Sequence, residues 1–316
     1  MSDPSTQKHF VAPVETQSIA VDAIRISEKP SNLWRDAWHD LRRRPMFWFS
    51  VVLAVFFLVM ALWPTLFTQV PPSGSGACDL ANSNAGPTDG HPLGFTFQGC
   101  DIYARIVWGA QTSLSVGLIA TAISSILGLL MGALAGFYGG WLDSVLSRVG
   151  DIFFAIPYIL AAVVVMTVLK DQRSVWVLAV AIGGFAWAST ARVVRAEVLR
   201  VRQSDYVVAS RALGRSRFGT LLTHVIPNAI APLLVVTTLG LAAAIVAEST
   251  LSFLGVGLGS GVMSWGNDIS QAQSSLRVAP MALIYPSIAL TLAVLAFVTL
   301  GELIRDAIDP KARARR

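Results

Sequence analysis

The sequence predicts an all-α membrane protein with six transmembrane helices and both termini in the cytoplasm, and three observations lead to this fold class. Of its 316 residues, 54% are hydrophobic and only 14% are charged, whereas a soluble domain carries about 25% charged residues. The apolar residues fall in six long blocks, each able to cross a bilayer as a helix of about 20 residues. Most Lys and Arg residues fall in the segments between the blocks that would lie on one side of the membrane.

The six apolar blocks are predicted to be helical, because a helix satisfies every backbone polar group inside lipid without closing a barrel. Their bounds are 46–67, 111–138, 148–169, 174–193, 228–250 and 280–303. In the second block, Gly128, Gly132 and Gly136 recur at a four-residue spacing. This spacing predicts one face on which another helix packs closely, and a substrate path lined by the glycines is the alternative.

The distribution of Lys and Arg sets the orientation. With the N-terminus inside, the inner segments hold seven before Met46, one at Arg148, seven from Arg192 to Arg217, and five from Arg305 onward. These sum to 20 of the 24, and the outer segments hold the remaining four. Both termini and the polar loop before the fifth span are therefore predicted to be cytoplasmic.

Four further segments complete the predicted organisation. Residues 1–30 are polar and lack apolar periodicity, which predicts a disordered cytoplasmic tail. Residues 31–44 predict an interfacial amphipathic helix, with packing against protein as the alternative. The glycine-rich run Ser249–Asn267 is interpreted as an external or re-entrant segment, because a seventh span would place the basic tail 305–316 outside.

The predicted unit 45–110 comprises the first span and a long external loop, and this loop holds both cysteines, Cys78 and Cys100. In an oxidising exterior two such cysteines predict a disulfide. Two free thiols are the alternative.

The stretch Asp205–Asn228 is a polar island between the fourth and fifth spans. Tyr206, Ala209 and Leu213 share one face of a short helix, and small residues on it would let another surface approach closely. Gly214 is placed to end this helix in a left-handed conformation, and Ser216 can cap a second helix. Pro227 fits the first turn of a new helix. This pattern is typical of a docking element, and binding of lipid headgroups is the alternative.

The pattern Ala209-Ser210-x-x-x-Gly214, nine residues, then His224-x-Ile-Pro227 resembles the EAA loop of binding-protein-dependent ABC importer permeases. The fuller string from Asp205 to Gly214 is similar to C-type permeases of dipeptide and oligopeptide importers. Val208 stands at the glutamate position of that loop. Further similarities, at 91–114, 248–258 and 305–310, extend the resemblance to about residues 35–312. Cys100 stands where the second-span motif usually has arginine.

The resemblance implies a type I importer permease (MetI-like) fold, with a core at 111–304, in a bacterial plasma (inner) membrane. It also implies that the cytoplasmic loop 204–227 couples the chain to ATPases. The residues it assigns to coupling are Asp205, Tyr206, Ala209, Ser210, Arg211, Ala212, Leu213, Gly214, His224 and Pro227.

The expected partners are a second homologous permease, two ATPase subunits or one fused ATPase chain, and an extracytoplasmic substrate-binding protein. The chain lacks a G-x-x-x-x-G-K-[ST] loop, so ATP and Mg²⁺ are expected on partner subunits and not in this chain. Its four histidines are scattered over both sides, which does not predict a metal site. No motif predicts catalysis or nucleic-acid binding.

The expected function is inward transport of dipeptides or oligopeptides. A nickel or other small-solute permease is the alternative within the class, and a stand-alone secondary transporter or channel is the alternative outside it. Glu248 lies at membrane depth, where ionisable residues are functional candidates. We expect it to face the cavity of the translocation path and either to contact a peptide amino group or to order Ser249–Leu258. Asp151 is expected to pair with Arg148 at i−3.

Overall fold

The structure is a computed structural model that describes residues 33–72, 77–259 and 261–308. Along these residues the helices are α1 (Leu33–Leu41), α2 (Pro45–Leu62), α3 (Ile102–Tyr138), α4 (Gly140–Ala155), α5 (Tyr158–Val168), α6 (Val175–Arg202), α7 (Asp205–Ala212), α8 (Arg217–Phe253), α9 (Trp265–Ala272) and α10 (Met281–Ile308). The predicted disordered tail, residues 1–30, lies outside the described residues, as do residues 309–316 of the predicted basic tail.

The all-α membrane fold is confirmed. Five described helices, α2, α3, α6, α8 and α10, are long and apolar enough to span a bilayer, and α4 with α5 makes a sixth span if the bent pair counts as one. Helix α3 begins nine residues before the predicted start, because the Asp101 carboxylate accepts hydrogen bonds from the N–H groups of Tyr103 and Ala104. With 37 residues it is about 55 Å long.

The third predicted span is not one straight helix. Helices α4 and α5 meet at an angle of 79° at a break formed by Ile156 and Pro157. Proline disfavours the helical conformation of the residue before it, and Ile156 is accordingly extended, with φ −90° and ψ 120°. The apolar run favoured a continuous helix, whereas the single proline decides the geometry.

Helices α3 and α6 pack closely against each other, and glycines make this approach possible. A methyl group placed on Gly132 would lie 2.5 Å from the carbonyl oxygen of Ala191, and one on Gly128 would lie 2.6 Å from Cβ of Thr190. One on Gly136 would lie 2.9 Å from the carbonyl oxygen of Arg195. The prediction that these three glycines form a packing face is therefore confirmed.

Helix α1 packs on protein along part of its apolar face. Ala37 and Leu41 are buried in a cluster with Phe47 of α2 and Ala307 of α10. Trp34 and Trp38 of the same helix are exposed. The helix therefore joins the first and last spans while presenting two indole side chains outward.

The external loop between α2 and α3 is closed by the predicted disulfide between Cys78 and Cys100. Backbone hydrogen bonds flank it, including one from the Asp79 N–H to the Gly99 carbonyl. The predicted external segment after the fifth span also adds no spanning helix among the described residues. Instead, α8 continues to Phe253 and a turn leads into the short, largely buried helix α9.

Candidate coupling surface and buried polar groups

Helix α7 and the start of α8 form the helix, glycine joint and second helix that the sequence predicts. Gly214 follows α7 with φ +86°, the left-handed conformation that glycine adopts at low cost. The Ser216 hydroxyl then accepts a hydrogen bond of 3.1 Å from the Gly219 N–H and so caps α8. Asp205 is the first residue of α7, where its negative charge interacts favourably with the positive end of the helix dipole.

One buried side chain anchors α7 and most of the others are exposed. Val207 is fully buried in a cluster with Val201 of α6 and with Leu221 and Val225 of α8. By contrast, the side chain of Leu213 is 88% exposed, and Tyr206, Val208 and Phe218 are also exposed. Exposed apolar residues that lie together mark sites of protein or membrane contact.

The two helices enclose an open depression of about 560 Å³. Its lining includes six of the ten predicted coupling residues, namely Tyr206, Ala209, Ser210, Leu213, Gly214 and His224, together with Arg215. The rings of Tyr206 and His224 pack edge to face at a centroid distance of 6.4 Å. Asp205, Arg211, Ala212 and Pro227 do not line the depression and are exposed beside it.

The expectation that Pro227 lies in the first turn of a helix is confirmed, because an α-helical segment begins at Ile226 with the proline in its first turn. This segment continues the helical run that begins at Arg217. Helix α8 runs without a break from Arg217 to Phe253, with a π-helical turn at Leu221–Val225 just before the proline. Proline cannot donate a backbone hydrogen bond, and the wider turn accommodates it. The side chain of Asn228 donates to the His224 carbonyl at 2.6 Å. The coupling surface and the fifth span are thus one continuous helix.

Glu248 lies near the far end of α8, and its side chain is fully buried. Its Oε1 accepts a hydrogen bond from the Ser252 hydroxyl at 2.9 Å, and its Oε2 accepts one from the Ser249 hydroxyl at 3.2 Å. Both serines belong to the last turns of α8, within the stretch Ser249–Leu258 that Glu248 was expected to order. Packing there is tight, because a methyl group on Gly266 would lie 2.5 Å from Cα of Ser249.

A second buried polar group joins α3 to α9. The Arg105 Nε donates to Oδ1 of Asp268 at 2.9 Å, and the Arg105 Nη2 donates to the same oxygen. Burial raises the pKa of the Asp268 carboxyl to about 6, while the Arg105 guanidinium acts in the opposite direction. The pair is separated by 163 residues in sequence, so no local motif could have revealed it.

Helix α4 is tied to α6 by ion pairs on the predicted cytoplasmic side. Asp143 accepts two hydrogen bonds from Arg195, at 2.6 and 2.7 Å. Asp151 accepts one from Arg192 at 2.8 Å, so the expected pairing with Arg148 is wrong. Asp151 meets a neighbouring helix, which spacing along α4 alone does not indicate.

Two family models match the chain. Residues 128–314 match the binding-protein-dependent transport system inner membrane component, and residues 32–87 match the N-terminal transmembrane domain of oligopeptide transport permease C. The first match covers more than half of the chain. The chain belongs to this permease family. The resemblance predicted from the EAA-type loop is thereby confirmed, and the chain is a multi-pass protein of the bacterial inner membrane.

Relatives match over almost the whole chain. The oligopeptide transport system permease protein OppC of Bacillus subtilis (strain 168) is 33% identical over 93% of this chain and 95% of its own. The dipeptide transport system permease protein DppC of Alkalihalophilus pseudofirmus is 32% identical over 89% of this chain and 91% of its own. The glutathione transport system permease protein GsiD of Escherichia coli O157:H7 is 34% identical over 89% and 91%.

A solved structure supports the fold. An inward-facing form of the MetNI methionine ABC transporter matches with a TM-score of 0.50 at 18% identity, over 64% of this chain and 95% of that chain. At this identity the likeness concerns the fold, and the predicted MetI-like architecture is confirmed.

Proposed function

We propose that this chain is a translocation subunit for the inward, ATP-driven transport of short peptides. The three relatives named above are permeases for oligopeptides, dipeptides and glutathione, and all three substrates are short peptides. The observation that carries the coupling part of the proposal is the exposed apolar surface of α7 around Leu213. An exposed apolar surface of this kind marks a site of contact with a partner that removes it from water.

In this proposal each expected partner contacts a different part of the chain. ATPase subunits, which hold ATP and Mg²⁺, dock on α7 and in the depression beside Tyr206 and His224. A second homologous permease completes the path, and a substrate-binding protein delivers peptide to the external loops.

Helix α8 would transmit the motion of the ATPases. It joins the coupling surface at Arg217 to Glu248 and Phe253 in 37 continuous residues, about 55 Å. A displacement at its cytoplasmic end therefore reaches the external segment. Alternating closure and opening of the ATPases would then change access to the path from one side to the other.

The coupling part is tested with Leu213→Asp in the assembled transporter. A charge at the centre of a desolvated contact is expected to weaken ATPase binding by about 30-fold or more, measured as co-purification of the ATPases with this chain. Leu80→Asp is the matched control, because Leu80 is 73% exposed in the external loop. Equal loss in both variants, or no loss with Leu213→Asp, would contradict the proposed docking surface.

The substrate part is tested by uptake of labelled di- to pentapeptides into proteoliposomes that contain the complete transporter. We expect ATP-dependent accumulation of peptide, which unlabelled peptide abolishes and Ni²⁺ does not. Accumulation of Ni²⁺ without peptide would assign the chain to the alternative substrate class.

A further inference from the structure

A cavity of about 320 Å³ lies at the break between α4 and α5, enclosed also by α3, α6 and α8. Aromatic side chains dominate one side of it, those of Phe153, Phe154, Tyr158 and Phe185. Its volume falls within the range of small-molecule sites, about 300–1,000 Å³, which are typically apolar with a few placed polar groups.

The cavity lies deep within the span. The ring of Phe153 is 5.4 Å from that of Phe185 and 5.3 Å from that of Trp187, measured between centroids. Phe185 and Trp187 lie near the middle of α6, which runs from Val175 to Arg202, so each is about 15–26 Å from either helix end. A ligand held here would therefore lie beside the middle turns of α6.

The start of α5 opens on this cavity, since Ile156, Pro157 and Tyr158 all line it. The first N–H groups of a helix have no partner within that helix, and no side chain caps this N-terminus. These groups carry the positive end of the helix dipole, and helix N-termini bind anions such as carboxylates. Broken helices in other membrane transporters present their N-termini to anionic substrate groups in this way.

An independent observation points to the same ligand chemistry. Thr121 of α3 lines the cavity and is only 5% exposed, and its hydroxyl has no hydrogen-bond partner within the described chain. A buried hydroxyl without a partner is unfavourable, and an anion in the cavity would accept its hydrogen bond. The described residues that line the cavity include no charged side chain, so no fixed carboxylate would repel that anion.

We propose that the cavity holds the C-terminal residue of a peptide in transit. The peptide carboxylate accepts hydrogen bonds from the N–H groups at the start of α5 and from the Thr121 hydroxyl. The C-terminal side chain packs against the aromatic rings, so apolar and aromatic C-terminal residues are favoured. This inference rests on the proposed peptide transport.

The site is tested by substrate protection of an introduced thiol. Ser189 lines the cavity and is exposed, so a Ser189→Cys variant of the complete transporter is treated with a small thiol reagent. The native cysteines are joined to each other, and the extent of modification at position 189 is read by mass spectrometry. The matched control is Val164→Cys, which is 61% exposed on α5 and does not line the cavity.

The probes are the dipeptide Ala-Phe and its C-terminal amide. We expect Ala-Phe to slow modification at position 189 at least threefold and the amide to leave it unchanged, with no effect of either at position 164. Equal protection by both probes would overturn the carboxylate contact. No protection by either, in a transporter that imports Ala-Phe, would overturn the site. A transporter that imports no peptide would instead contradict the proposed function, and this inference with it.

A second variant tests the hydroxyl. Thr121→Val keeps the shape of the side chain and is expected to raise the KM for Ala-Phe transport about tenfold, with little change in kcat, since a hydrogen bond to a charged group is lost. Thr238→Val is the control, because that hydroxyl already donates to the Leu234 carbonyl at 2.8 Å. An unchanged KM in Thr121→Val would remove the hydroxyl from the site.

Discussion

The contact between α3 and α6 allows a quantitative test of the packing. A methyl group on Gly132 would approach the Ala191 carbonyl oxygen to 2.5 Å and Cβ of Val194 to 2.9 Å. Carbon and oxygen atoms of neighbouring backbones normally stay at least about 3.3 Å apart. Gly132→Ala therefore forces the helices apart by close to 1 Å, and overpacking of this kind destabilises by about 1–3 kcal/mol.

The same substitution also removes the poor helix propensity of glycine, so a control is needed. Gly184→Ala provides it, because Gly184 is also helical and has no neighbour within 4 Å of an added methyl group. Both variants gain about the same from propensity, up to about 1 kcal/mol, so the difference between them isolates the strain. At about 2–4 °C per kcal/mol, the conversion for proteins of about 150–250 residues, Gly132→Ala should unfold about 2–12 °C below Gly184→Ala.

The assay is thermal unfolding of the purified protein in detergent at a fixed heating rate, because unfolding of such proteins is commonly irreversible. Unfolding temperatures that agree within error for the two variants would refute the close approach of α3 and α6.

Three further outcomes are expected. Cys100→Ser should make Cys78 reactive toward thiol reagents, whereas the unreduced wild type should show no free thiol. Loss of the crosslink should lower the stability of the protein by about 3 kcal/mol in the chain-entropy model. Labelling of the unreduced wild type would contradict the disulfide. Glu248→Gln should slow peptide transport while partners still co-purify; unchanged transport would remove Glu248 from the functional residues. Asp268→Ala should leave Arg105 buried without its partner and lower stability by about 3–5 kcal/mol, whereas the double change Arg105→Met with Asp268→Leu should recover much of it. A double variant as unstable as the single one would contradict this account, with unfolding temperature as the measurement.

Much of the fold could be predicted from the sequence because its signals are long or local. Each apolar block extends over about 20 residues, and the blocks predict the number of spans. The uneven distribution of Lys and Arg between the connecting segments predicts their orientation. The joint at Gly214 and the cap at Ser216 follow from local chemistry. The packing face of Gly128, Gly132 and Gly136 follows from the helical period alone.

Other features depend on interactions that local patterns do not contain. The pairing of Arg105 with Asp268 and of Asp151 with Arg192 joins separate helices, and each charge has nearer candidates in sequence. The continuity of α8 through Pro227 depends on a π-helical turn that no residue type specifies. The break at Pro157 did have a signal, the proline itself, which the strength of the surrounding apolar run obscured.

The position of the disulfide has a consequence for biogenesis. Cys78 and Cys100 are 22 residues apart and both precede α3. They are therefore synthesised, and can be translocated across the membrane, before most of the membrane domain has been synthesised. The bond needs no contact with later helices and can close while synthesis continues. We therefore expect oxidation of this loop to be an early event in membrane insertion, one that fixes the outward position of the loop before the remaining helices assemble.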